Sequence, residues 1–278
     1  MVHLIVASQD DAASLNIATY LLQHYPFTET SERYEGHPLY SWQHHDKDIR
    51  LLTVTGELAY HQDLIDLPDV DLLVFVSRHE SRDHKPIFSV HVPGNFSTAE
   101  FGGLSHTISL APANAMRAAL REMAAQQTRL GLTDFTVYYE GTHHGPSLNT
   151  PTLFVEIGSA PAEWTNPVAG DVVAHAALAA IENETSVEAA VGLGGSHCNR
   201  RLTSISLASD IAFGHIVPAY AFKWLTPELL HHCVNRTLEP NPILVLDWKG
   251  IDGKDRVPLQ EVLDAVPYPV KRVSEYRS

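Results

Sequence analysis

Two adjacent histidines stand in the run Glu140-Gly141-Thr142-His143-His144-Gly145-Pro146, and Glu156 follows in Leu153-Phe154-Val155-Glu156-Ile157-Gly158-Ser159. Imidazole and carboxylate are the side chains that move protons near neutral pH and that ligate zinc. Two further blocks have the same texture. One is Ser77-Arg78-His79-Glu80-Ser81, leading into His91-Val92-Pro93-Gly94-Asn95; the other is Gly192-Leu193-Gly194-Gly195-Ser196-His197-Cys198, followed by Gly214-His215. In each block titratable residues flanked by Gly or Pro end a β-like run, which is where α/β enzymes keep their chemistry.

Two chemistries suit these residues. A zinc site needs three or four converging His, Cys or carboxylate ligands, and His79, His91, His143, His144, His197 and His215, with Glu140, Glu156 and Cys198, are the supply. No H-E-x-x-H helix and no C-x-x-C pair accompanies them, so metal-free acid/base work by the same groups stays open. Gly192-Leu193-Gly194-Gly195 either offers backbone N–H groups to an anion or is a tight turn. Ser77 and Ser81 lack a G-x-S-x-G elbow, and Cys198 reads as a structural thiol rather than a nucleophile paired with its neighbour His197.

The elements that must position these groups alternate in type. Strands are expected at Leu4–Ala7, Ile49–Thr55, Leu72–Val76, Ile87–Val92, Phe135–Tyr139, Leu153–Ile157, Ala189–Gly192 and Ile243–Leu246. Helices are expected at Ala12–His24, Ala113–Leu130, Ala169–Glu182 (opened by Asn166-Pro167) and Pro258–Ala265. Thr28–His45 is polar and reads as an excursion or flexible loop. The alternation predicts an α/β fold, a mixed or parallel sheet covered by helices, formed by residues 1–278 as one α/β domain.

The net charge of -14 argues against broad electrostatic binding of nucleic acid. Its distribution is uneven, however. Residues 1–70 carry eleven carboxylates against three bases, whereas residues 192–224 carry Asp210 alone against Arg200, Arg201 and Lys223. A local contact with a few phosphates is therefore compatible with the acid excess. Two cysteines exclude a disulfide scaffold and fit a cytoplasmic protein, and no apolar stretch is long enough to cross a bilayer.

Taken together, the three blocks resemble the archaeal and plant type of D-aminoacyl-tRNA deacylase. The resemblance rests on Val76-Ser77-Arg78-His79-Glu80-Ser81, His91-Val92-Pro93-Gly94-Asn95, the T-H-H-G-P and F-V-E-I-G-S runs, Trp164, Gly194-Gly195-Ser196-His197 and Phe213-Gly214-His215-Ile216. Ser196, Cys198 and Arg200 depart from the family's usual reading of the third block. The resemblance implies a three-layer mixed sheet with helices on both faces, phosphorylase- and peptidyl-tRNA-hydrolase-like. It implies hydrolysis of the ester between a D-amino acid and tRNA, with Zn2+ as cofactor and the acceptor end of D-aminoacyl-tRNA as partner of a monomer or homodimer. On that reading His143, His144, Glu140 and Glu156 form the catalytic group, and His79, His91, His197 and His215 hold metal. Ser81, Asn95, Gly194, Gly195, Arg200, Arg201 and Lys223 then meet the substrate. The rivals are a zinc-dependent amidohydrolase or aminopeptidase acting on small substrates, and a non-catalytic RNA-binding module.

Overall fold

The structure, a computed structural model, describes residues 1–62 and 69–276. Its framework is an eight-stranded mixed sheet in the order β2-β3-β4-β1-β5-β8-β6-β7. The strands are β1 (Val2–Ser8), β2 (Thr28–Tyr34), β3 (His37–His44), β4 (Lys47–Val54), β5 (Val70–Glu80), β6 (Ile87–His91), β7 (Thr136–Tyr139) and β8 (Thr152–Ser159). β4, β1, β5 and β8 run parallel, and β6 pairs antiparallel with β8. A second, four-stranded parallel sheet has the order β10-β9-β11-β12, from β9 (Glu188–Leu193), β10 (Ile211–Val217), β11 (Ile243–Leu246) and β12 (Val270–Arg272). The sequence predicts one sheet; the chain builds two.

Helices α1 (Ala12–His24), α2 (Ala113–Arg129), α3 (Pro161–Trp164), α4 (Pro167–Glu182), α5 (Arg200–Ala208), α6 (Pro227–Asn235) and α7 (Gly253–Asp264) complete the layers. Their ends carry the expected local chemistry. Asp11 caps α1 by accepting from the N–H groups of Ala13 and Ser14, and Asn166 caps α4 ahead of a proline in the first turn. α1 and α2 each pack on α4, the three cover β5, β6 and β8, and α2 reaches on to β10.

Period-two alternation sorts the strand residues between the two faces of each sheet. Ile5 and Ala7, Val74 and Val76, and Val155 and Ile157 face the helices, joining Ile243 and Val245 of the small sheet in one continuous apolar cluster. Leu4, Val6, Leu73, Phe75 and Phe154 point the other way and pack under Leu58 and Leu148. Val191, Leu193, Leu244 and Leu246 pack with Leu230, Val234, Leu259 and Leu263 of α6 and α7.

Thr28–His45 is a correction. It is the hairpin β2–β3, turned at Glu35-Gly36 with φ of 50° and 83°. Its polar sequence belongs to an edge ribbon that water reaches, where charge guards against further pairing. Every other expected strand and helix has a counterpart; β10, β12, α3, α5 and α6 lie outside the expected set.

Candidate active site

The loop-covered face of the large sheet turns from apolar to polar along its own period. After Phe75, β5 places Ser77 and His79 on that face; after Phe154, β8 places Glu156 there; β6 contributes Ser89 and His91. Strand register brings these together, since Glu156 is paired with Ser77 on one side and Ser89 on the other. The Ser77 hydroxyl donates to Glu156 Oε1 at 2.8 Å, and Ser89 reaches Oε2 at 3.4 Å. Gly158 lies opposite His79, and a Cβ there would stand 2.9 Å from the His79 side chain. The glycine makes room for the imidazole.

The loop after β7 supplies the other half. Glu140 is bridged to Cys198, Gly141 N–H donates to His197 O, and Thr142 N–H donates to Ile216 O, both at 2.9 Å. On the opposite flank Gly94 N–H donates to the carbonyls of His143 and His144. The segment Glu140–His144 is thereby stitched to both sheets at once.

Two carboxylates and five imidazoles converge at this seam. Glu140 is buried, with His79 Nδ1 2.9 Å from Oε1 and His197 Nε2 2.8 Å from Oε2. His143 Nε2 lies 3.7 Å from the same Oε2. Glu156 has His91 Nε2 and His79 Nδ1 each at 3.6 Å. The rings of His143 and His91, His143 and His144, and His143 and His197 have centroids 4.2, 4.3 and 4.4 Å apart.

Hydrogen bonds fix the tautomers of the central pair. His143 Nδ1 lies 2.9 Å from Gly141 O and His144 Nδ1 lies 2.6 Å from Gly145 O. A carbonyl only accepts, so both Nδ1 atoms carry the proton and both Nε2 atoms present lone pairs. Burial, followed by the neighbouring imidazoles, holds the pKa of His143 well below the ordinary value, and burial with His91 beside it brings His144 down to about 4. Both rings are neutral at pH 7. Burial opposes a charge on His79, but Glu140 and Glu156 overcome it and push this imidazole up to about 11. Burial likewise opposes ionisation of the carboxylates. His79 and His197 nonetheless hold Glu140 well below the usual range, and His79 and His91 bring Glu156 down to about 2.

The donor set fits a cation. Neither Glu140 oxygen accepts an aligned hydrogen bond despite its close imidazoles, and both ring nitrogens of buried His91 are likewise unbonded. Such orphaned buried atoms call for a partner. Among the described residues, four groups of donor atoms lie within 4.8 Å of one another: His79, Glu140 and Cys198; Glu140, His143 and His197; His91, Glu140 and Glu156; and His91, His143 and His144. Glu140 is common to three of them. Burial and the nearby carboxylates push the Cys198 thiol up to about 12, the opposite of what an activated nucleophile needs.

Several expected site residues take other roles. His215 is a correction: it is buried outside the cluster, with Nε2 3.3 Å from Arg236 O and Nδ1 3.2 Å from Thr142 Oγ1. The carbonyl requires Nε2–H, so Nδ1 accepts from Thr142, and His215 braces the reactive loop instead of holding metal. Gly194 and Gly195 donate their N–H groups to Val217 O and Gly250 O, so this turn offers no anion cradle. Arg201 is engaged by Asp247 at 2.6 Å. Arg200 is exposed on the first turn of α5, and Ser81, Asn95 and Lys223 border the cleft. Asn95 also pins a rim loop through Gly102 O and Leu104 O.

The cluster lies in an open cleft of about 1370 Å³. Sequence reasoning missed Ser89, whose signal is a polar break in an apolar strand. It also missed Tyr220, whose hydroxyl lies 3.2 Å from His197 Nδ1 and orients that ring. Tyr60, Phe101 and Trp224 at the cleft border carry no pattern that could have found them.

Lone-pair imidazoles beside buried carboxylates, at the open end of a mixed α/β sheet, are the equipment of a hydrolase. A family profile described as D-aminoacyl-tRNA deacylase matches residues 67–271. The D-aminoacyl-tRNA deacylase of Thermococcus onnurineus is 35% identical over 262 residues, covering 91% of this chain and 93% of that protein. That of Pyrococcus furiosus is 34% identical over 261 residues with the same coverages. A crystal structure of a conserved protein of unknown function is 31% identical and superposes with a TM-score of 0.86, covering 99% of this chain and 96% of that one. The chain belongs to the D-aminoacyl-tRNA deacylase family.

Proposed function

We propose that this chain hydrolyses the ester joining a D-amino acid to the terminal ribose of tRNA, at the centre formed by Glu140, His143, His144 and Glu156 with His79, His91 and His197. The observation that carries this reading is the pair of half-buried, neutral imidazoles facing an open cleft, His143 with its Nε2 3.7 Å from the buried Glu140 carboxylate. A neutral imidazole accepts a proton from water as the oxygen attacks the ester carbonyl, then returns it to the departing ribose hydroxyl. Ser77 and Ser89 hold Glu156 in place, and Tyr220 does the same for His197. Glu140 and Glu156 stabilise positive charge arising on the imidazoles. Glu140 with His143 and His197, or with His79 and Cys198, would hold zinc. Bound there, zinc would supply a water of lowered pKa and polarise the ester carbonyl.

The test uses D-tyrosyl-tRNA and L-tyrosyl-tRNA with the purified native chain. Deacylation of the D form well ahead of the L form is expected, and His143→Ala and His144→Ala should each lose about tenfold to a hundredfold in turnover. A native chain inert on D-tyrosyl-tRNA, or two fully active single variants, would overturn the reading.

A further inference from the structure

Four large aromatic side chains border the cleft while exposing much of their surface: Tyr60 at 55%, Phe101 at 66%, Tyr220 at 52% and Trp224 at 36%. Scattered exposed apolar residues need no explanation, but these four share the mouth of one site. Two of them are set on a rigid base. Gly102 and Gly145 both press on the carbonyl of Ala59, so closely that neither has room for a Cβ. Gly145 N–H also donates to Phe101 O at 2.9 Å. The loops carrying Tyr60, Phe101 and His144 are therefore locked together, and the two rings are held beside the reactive centre.

We infer that Phe101 and Tyr60 are a stacking platform for the unpaired bases at the acceptor end of tRNA, an inference that rests on the deacylase reading above. The ester must reach His143, His144 and Glu156, which line the cleft, so the nucleotides just before it cross this rim. Charge gives them little help. Asp10, Glu57, Glu80 and Glu100 border the cleft alongside Arg78, Arg82 and Lys223. Arg78 is itself within ion-pair reach of Asp11, Glu57 and Glu80, and the chain as a whole carries -14. With phosphate attraction limited to a few contacts, base-aromatic stacking is the main interaction left to hold the bases at this rim. It tolerates any sequence because every base has a π-face.

The experiment compares the native chain with Phe101→Ala, Tyr60→Ala and Phe101→Trp. Steady-state deacylation of D-tyrosyl-tRNA is measured, together with binding of an unacylated CCA trinucleotide by intrinsic fluorescence. Each alanine variant should raise KM for tRNA and weaken trinucleotide binding by roughly tenfold with kcat retained, and Phe101→Trp should behave as the native chain does. Unchanged KM and trinucleotide affinity in both alanine variants would overturn the inference alone. So would loss of kcat with KM unchanged, which would mark Phe101 as support for the centre. A native chain inert on D-tyrosyl-tRNA would instead overturn the deacylase reading and this inference with it. Both side chains are exposed, so their truncation opens no cavity, and thermal melts verify the fold.

Discussion

Nδ1 of His79 stands 2.9 Å from Oε1 of Glu140, yet that carboxylate, wholly enclosed, receives no aligned hydrogen bond on either oxygen. Proximity without alignment is what donor atoms show when they face a common point rather than each other. Glu140→Gln keeps the shape and removes the charge, leaving His79 without its principal counter-charge. Deacylation measured in single turnover should fall by at least about a hundredfold, in line with the loss of a group that positions metal or acid/base partners. Turnover within threefold of native would show that Glu140 serves packing alone.

Metal removal gives a separate expectation. Dialysis against a strong chelator should abolish most activity, zinc should restore it, and elemental analysis of the native chain should find zinc in stoichiometric amount. Glu140→Gln and His143→Ala should each lower that content. Metal-free protein deacylating at the native rate would leave general-base catalysis by the imidazoles as the whole chemistry.

His215 makes stability depend on pH. Burial brings its pKa down to about 3 in the folded chain, against 6.5 for the free imidazole. The unfolded chain therefore takes up this proton first. The contribution is intact above pH 6.5, declines as pH falls toward 3 and is lost below it, amounting to on the order of 4–5 kcal/mol in all. His143 and His144 are depressed as well, so the measurement is a difference. The loss of melting temperature between pH 7.5 and pH 5 should be smaller in His215→Asn than in the native chain. Equal losses would show that His215 does not titrate on unfolding.

Much of the architecture was legible because its signals are local. Apolar runs marked most strands, apolar spacing bounded by Gly or Pro marked the helices, and the histidine blocks marked the ends of β5, β6, β7 and β9. The polar interruptions at Ser77 and Glu156 belong to the same signal. What escaped depends on distant partners. Only register shows that Ser89 lies opposite Glu156, and only the packing of three loops brings Tyr60 and Phe101 to one rim. His215 resembled a ligand by type, but Arg236 O and Thr142 occupy its nitrogens. Arg201 resembled a phosphate contact until Asp247 was placed against it. Thr28–His45 reads as an excursion or loop because the outer strand β2 is largely exposed and β3 buries only Leu39 fully, with Tyr40 and Trp42 half-buried, so the segment shows no clean apolar period.

The basic stretch near α5 now divides. Arg201 is held by Asp247, a nearly buried carboxylate, whereas Arg200 is exposed and Lys223 borders the cleft over Trp224. Arg200→Ala and Lys223→Ala together should raise KM for tRNA at constant kcat. They should also flatten the log–log salt dependence by about one to two, at roughly 0.7–0.9 per phosphate contact. Arg201→Ala should chiefly lower the melting temperature. Identical salt slopes in the native chain and the double variant would place tRNA elsewhere on the surface.

The stitching of Glu140–His144 to His197 and Ile216 on one side and to Gly94 on the other bears on how the protein can move. The reactive residues are also the mortar between its two halves, so a hinge along that joint would dismantle the centre it is meant to serve. Traffic of substrate and product is left to the rim. The interlocked loops of Ala59, Gly102 and Gly145 make that rim shift as one piece, so a change in any of the three is felt by all.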